Sequence, residues 1–68
     1  MKTRIEFGSD HVSIICSRTV ANFIGSALHI ACEDWNPDDE LASQATHAFN
    51  MGTALNQGDN FEEEEPTP

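Results

Sequence analysis

Beyond residue 18 the chain contains no lysine and no arginine; its three basic residues are Lys2, Arg4 and Arg18. A protein that binds DNA or RNA directly needs such cations to replace phosphate counterions, so direct nucleic-acid binding is not expected. Anionic membranes are disfavoured for the same reason. No apolar run approaches the roughly 20 residues that span a bilayer, so no membrane segment is expected. Tyrosine is absent and tryptophan occurs once. There are only two cysteines, Cys16 and Cys32. The opening Met1-Lys2-Thr3-Arg4-Ile5-Glu6 has no apolar leader segment, so a cytoplasmic protein with reduced thiols is the expectation. No glycine-rich phosphate loop and no calcium loop with a central glycine is present.

The chain is short, at 68 residues, and is expected to form one domain near the lower limit for independent folding. A catalytic cleft is hard to build in such a body, because substrate pockets usually take about 300 Å³ or more. His29, Cys32 and Glu33 stand on adjacent turns, but a zinc site usually needs four ligands. A cysteine nucleophile needs nearby positive charge to hold its thiolate, and the surroundings here are acidic. No enzyme activity, metal or cofactor is therefore expected.

What is abundant is negative charge. The net charge is −9, and residues 19–68 carry ten carboxylates. A basic protein surface is the natural partner for such a chain, and long-range attraction would speed the encounter. The competing explanation is that acidity only keeps a small protein soluble.

The alternation in Lys2–Phe7 places Ile5 and Phe7 on one face and Arg4 and Glu6 on the other. Val12, Ile14 and Cys16 alternate likewise, with Ile15 opposite. Two strands are expected, joined by the turn cluster Gly8-Ser9-Asp10. A two-residue loop at Ser9-Asp10 pairs Phe7 with Val12, Ile5 with Ile14 and Thr3 with Cys16, which keeps the apolar side chains on one face. Ser17 or Thr19 caps the next element. Val20, Phe23, Ile24, Ala27, Leu28 and Ala31 form a stripe at helical spacing and are expected to face inward, with Asn22, Ser26, His29 and Glu33 opposite.

Asn36-Pro37-Asp38-Asp39-Glu40 reads as the start of a second helix, with Asn36 as cap, proline in the first position and acids in the first turn. Leu41, Ala45, Ala48, Phe49, Gly52 and Leu55 form its inner stripe. The small residues Ala45, Ala48 and Gly52 suggest close approach to Ala27 and Ala31. Gly58 caps the end. Asp59 to Pro68, with Glu62-Glu63-Glu64-Glu65, is expected to be a disordered acidic tail that Phe61 can tack to the body.

The fold expected is α+β. An N-terminal β-hairpin is followed by two antiparallel helices that cover one of its faces, giving a compact domain over residues 1–58 and a flexible tail over 59–68. The candidate partner-binding residues are Glu33, Asp34, Trp35, Asp38, Asp39 and Glu40. Asp38, Asp39 and Glu40 stand where the helix dipole favours negative charge, which alone explains them, whereas Glu33 and Asp34 stand at a helix C-terminus, which disfavours anions. Trp35 either plugs the bottom of the helix pair, which its helical phase favours, or anchors a partner. Ile15, Ile30 and Met51 fall outside the stripes and are candidates for self-association.

The functional expectation is a non-enzymatic protein that docks on a basic protein, such as a nucleic-acid-binding one, and inhibits it by carboxylate mimicry of phosphates. Small acidic inhibitors made by phages use this strategy; the likeness is one of composition alone. The alternative is a homo-oligomeric structural or assembly protein, such as a homodimer, whose acidity serves solubility.

Overall fold

A computed structural model describes residues 1–67. Strand β1 (Arg4–Phe7) pairs antiparallel with β2 (Val12–Ile15), and helices α1 (Arg18–Cys32) and α2 (Ala42–Gln57) follow. This is the expected ββαα arrangement. The register matches the alternation: Phe7 opposes Val12, Ile5 opposes Ile14, and Arg4 opposes Ile15. The Gly8 amide donates to the His11 carbonyl at 2.8 Å, which closes the loop around Ser9 and Asp10. The strands are shorter than the alternating segments, so Thr3 and Cys16 lie outside them.

Ser17 is the cap of α1, and its hydroxyl accepts from the Val20 amide at 3.2 Å. Gly58 ends α2 in the left-handed conformation, φ 75°, where a side chain would be strained. The Gly58 and Asp59 amides both donate to the Ala54 carbonyl.

The helices run antiparallel and meet through small residues. Gly25, Ala45, Gly52 and Ala54 are the buried positions of the two helices. A β-carbon on Gly25 would lie 2.6 Å from the Gly52 carbonyl oxygen and from the Asn56 amide nitrogen. The expected close approach is present, but Gly25 makes it instead of Ala27 and Ala31, which are exposed. The helix is thus turned relative to the expected stripe. Phe23 stands 71% exposed and Val20 is exposed as well. Asn22, Ser26 and His29, expected to be solvated, reach across to α2. The Asn22 amide donates to the Asn56 carbonyl (2.7 Å), and the Asn56 amide donates to the Ser26 hydroxyl (2.6 Å). His29 stacks on Phe49, ring centroids 4.0 Å apart, with Nε2 3.1 Å from the Thr53 hydroxyl. That hydroxyl donates to the Phe49 carbonyl, so it accepts from His29 Nε2. Apolar residues cover most of the circumference of α1. Which part faces α2 is decided by where backbones approach, and only glycine permits that distance.

Two further expectations are corrected. Helix α2 begins at Ala42 with Leu41 as its cap residue, not at Asn36. The helix pair does not cover the hairpin: all eight strand residues are exposed, and neither strand packs on a helix. The tail over 59–67 has no helix or strand. It is tied to α2 at one place, where Phe61 lies against His47, ring centroids 5.8 Å apart, and Glu63 Oε1 sits 2.7 Å from His47 Nδ1. Pro68, the last residue of the expected tail, lies outside the described residues. No helix is long and apolar enough to cross a membrane among the described residues.

Candidate functional site

The loop between the helices carries the five carboxylates singled out from the sequence. Glu33 is the C-terminal cap residue of α1, its amide donating to the His29 carbonyl at 3.0 Å. The Trp35 amide reaches the Cys32 carbonyl at 3.3 Å, which turns the chain out of the helix. Asn36 then caps a turn: its side-chain oxygen accepts from the Asp38 amide at 2.9 Å, and its carbonyl accepts from the Asp39 amide at 3.1 Å. Asp39 repeats the device, its carboxylate accepting from the Leu41 amide at 2.8 Å and its carbonyl from the Ala42 amide at 3.0 Å. Side chains that bond the backbone two residues on offer an alternative to helical hydrogen bonds. Two such bonds in succession hold residues 36–41 as linked turns and delay α2 to Ala42.

This changes the electrostatic account of the loop. No acidic residue occupies the first turn of α2, so Asp38, Asp39 and Glu40 do not gain the helix-terminal stabilisation expected of them. Glu33 stands at the negative end of α1, as expected. All five carboxylates are exposed. Among the described residues only that of Asp39 accepts a hydrogen bond from the protein. The loop is therefore an array of five negative charges on a short, internally hydrogen-bonded segment, with no Lys or Arg in the chain from residue 19 onward.

Beside the acids lies a shallow depression of about 390 Å³, lined by Cys32, Glu33, Trp35, Pro37, Thr46 and Phe49 among others. Trp35 leaves 42% of its surface exposed there, which corrects the expected plug: it forms one wall of an open recess. Of the six candidate binding residues, the recess unites Glu33 and Trp35, while Asp34, Asp38, Asp39 and Glu40 lie outside its lining.

The self-association candidates separate too. Ile15 and Met51 line a second, larger groove of about 980 Å³ between the hairpin and the helices; Ile30, 73% exposed, does not belong to it. The groove's other walls include Phe7, Val12, Ile14, Ile24 and Leu55. Sequence reasoning assigned these last five to a core.

Cys16 and Cys32 are both free and half-buried, one lining the groove and the other the recess. His29 is engaged by Thr53 and Phe49, which separates it in role from Cys32 and Glu33. No cluster of three His, Cys, Asp or Glu side chains able to hold a metal ion occurs among the described residues. No protein-family model matches the chain, and no curated protein or solved structure matches it.

Proposed function

We propose that the protein is a non-enzymatic binding protein whose interhelical acidic loop docks on a basic surface of another protein and blocks it. One observation carries this reading: Glu33, Asp34, Asp38, Asp39 and Glu40 are presented together, exposed, on a hydrogen-bonded loop beside a half-exposed tryptophan. The carboxylates steer association and select for cations. Trp35 supplies the rigid, partly apolar contact that charge alone lacks. A groove that binds phosphates is one basic surface that such an array can occupy.

The test replaces the five acids by their amides, Glu33→Gln, Asp34→Asn, Asp38→Asn, Asp39→Asn and Glu40→Gln. The loop's hydrogen bonds through Asn36 are kept, and an asparagine at 39 retains an acceptor for the Leu41 amide. Partners captured from the native host by the wild-type chain are then titrated with both forms. The association rate is expected to fall by about 10- to 1,000-fold, and the difference to shrink as salt is raised. Equal rates for the two forms at low salt would overturn the reading.

A second reading, a homo-oligomeric structural or assembly protein, is favoured by a separate observation: the hairpin's apolar face is uncovered.

A further inference from the structure

We propose that the groove between hairpin and helices is the seat of a second copy of this chain, the hairpin face of each copy covering the groove of the other in a twofold homodimer. The proposal rests on the second reading above and adds the surface and the mode of pairing.

The first argument is area. The chain exposes 5616 Å², whereas a folded monomer of its mass, 7.5 kDa, exposes about 4,200 Å². Its radius of gyration, 12.7 Å, exceeds the about 11 Å of a compact chain of this length. The excess surface is about 1,400 Å² per chain, and a stable interface takes about 800 Å² from each partner. The excess is shared by the tail over 59–67, which has no helix or strand, and by the hairpin, where Phe7 is 82% exposed and Ile5, Val12 and Ile14 lie on the same face. A lone two-stranded hairpin is at best marginal in water, so this face needs a cover that the chain's own helices do not supply.

The second argument is shape. The hairpin's apolar residues Phe7, Val12 and Ile14 form one wall of the open groove, and Ile24, Met51 and Leu55 of the helices form the other. A twofold pair buries the same patch of both copies, so the hairpin of each can enter the open groove of the other.

The third argument is charge, which disfavours the alternative pairing through the outer stripe of α1. Residues 1–18 hold all three cations against two carboxylates; residues 19–68 hold ten carboxylates. Two copies that meet through the hairpin use the segment whose net charge is not negative, and so avoid the repulsion that the rest of the chain would bring. The outer stripe of α1, with Phe23 and Ile30, is also apolar, but it runs toward Glu33 and Asp34 and would bring two acidic loops together. The groove's lining carries only Asp10 and Glu65 as acids.

Sedimentation equilibrium of the full chain over a wide concentration range tests this. A mass of twice 7.5 kDa is expected at high concentration. The double variant Phe7→Asp, Ile14→Asp should weaken association by about 100-fold or more while far-ultraviolet circular dichroism keeps its helical signal. The control variant Phe23→Asp, Ile30→Asp should dimerise as the wild type does. A wild-type monomer at the highest concentration overturns both the proposal and the oligomer reading. A dimer that survives the hairpin variant but is broken by the α1 variant overturns the proposal and leaves self-association standing. Hydrogen exchange on the wild type decides the matter without any variant, should the hairpin variant lose its helices. Amides of residues 4–7 and 12–15 should gain protection as concentration rises; protection that does not change with concentration overturns the proposal.

Discussion

The contact between the two helices and the face of the hairpin differ in what they are made of. The helix contact is made where Gly25 meets Gly52, and it is tight enough to leave no space for one added carbon at Gly25. The hairpin presents Ile5, Phe7, Val12 and Ile14, and all four are exposed. Size and hydrophobicity therefore do not say what is buried in this chain. Close backbone approach gives the helices many weak contacts and allows Asn22, Ser26 and His29 to bond across. The large side chains remain available for contacts outside the monomer.

The largest effect should come from Gly25. A β-carbon there meets backbone atoms of α2 at 2.6 Å, which cannot rotate away. Gly25→Val forces the helices apart and should cost about 3 kcal/mol, which is most of the stability of a domain this small. Gly25→Ala gains about 1 kcal/mol of helix propensity but still clashes, so a net loss of about 1–2 kcal/mol is expected. Urea unfolding followed by circular dichroism measures both. A neutral or stabilising alanine would show that the helices are not held by this contact.

His29 ranks next. Replacing it by alanine removes the stack on Phe49 and leaves the Thr53 hydroxyl without its donor, an expected loss of about 1.5 kcal/mol. His29→Phe keeps the stack and should recover part of that loss. If both variants unfold like the wild type, the polar ladder between the helices contributes nothing.

The same contrast explains what could be read from the sequence. The hairpin register was legible because it depends on local alternation and on Gly8-Ser9-Asp10, and the Ser17 and Gly58 caps were legible because each is a short-range bond. The phase of α1 was not. Its apolar arc runs from Leu28 and Ile24 round to Phe23 and Ile30, too broad for a stripe of hydrophobicity to locate the contact. The contact follows Gly25, whose partner Gly52 lies on another element. The start of α2 was misread because Asn36-Pro37-Asp38 serves a turn as well as a helix. Only the Asp39–Leu41 bond shows which won. The acidic loop was legible as a cluster, while the recess that joins Glu33 to Trp35 depends on Phe49 and Thr46, far along the chain.

Gly58 tests a local feature against these long-range ones. Alanine there must adopt φ 75°, with no other atom within 4 Å of its β-carbon, so the cost is conformational only. A loss of about 1 kcal/mol is expected, read as a shift in the urea midpoint with unchanged slope. A change as large as that of Gly25→Val would mean that the tail's attachment through Phe61 and Glu63 also depends on this turn.

The smallest effect should come from an exposed aromatic ring of the hairpin. Phe7→Ser removes a phenyl ring that the monomer leaves in water, so at low concentration unfolding of the helix pair should change by less than about 0.5 kcal/mol. At high concentration the two forms should part, because a dimer gains stability with concentration and the variant would forfeit that gain. The midpoint of the wild type should rise with concentration and that of Phe7→Ser should stay flat. A difference that is large and independent of concentration would place Phe7 in the monomer's own core. It would also remove the contrast between a small-residue interior and a large-residue exterior.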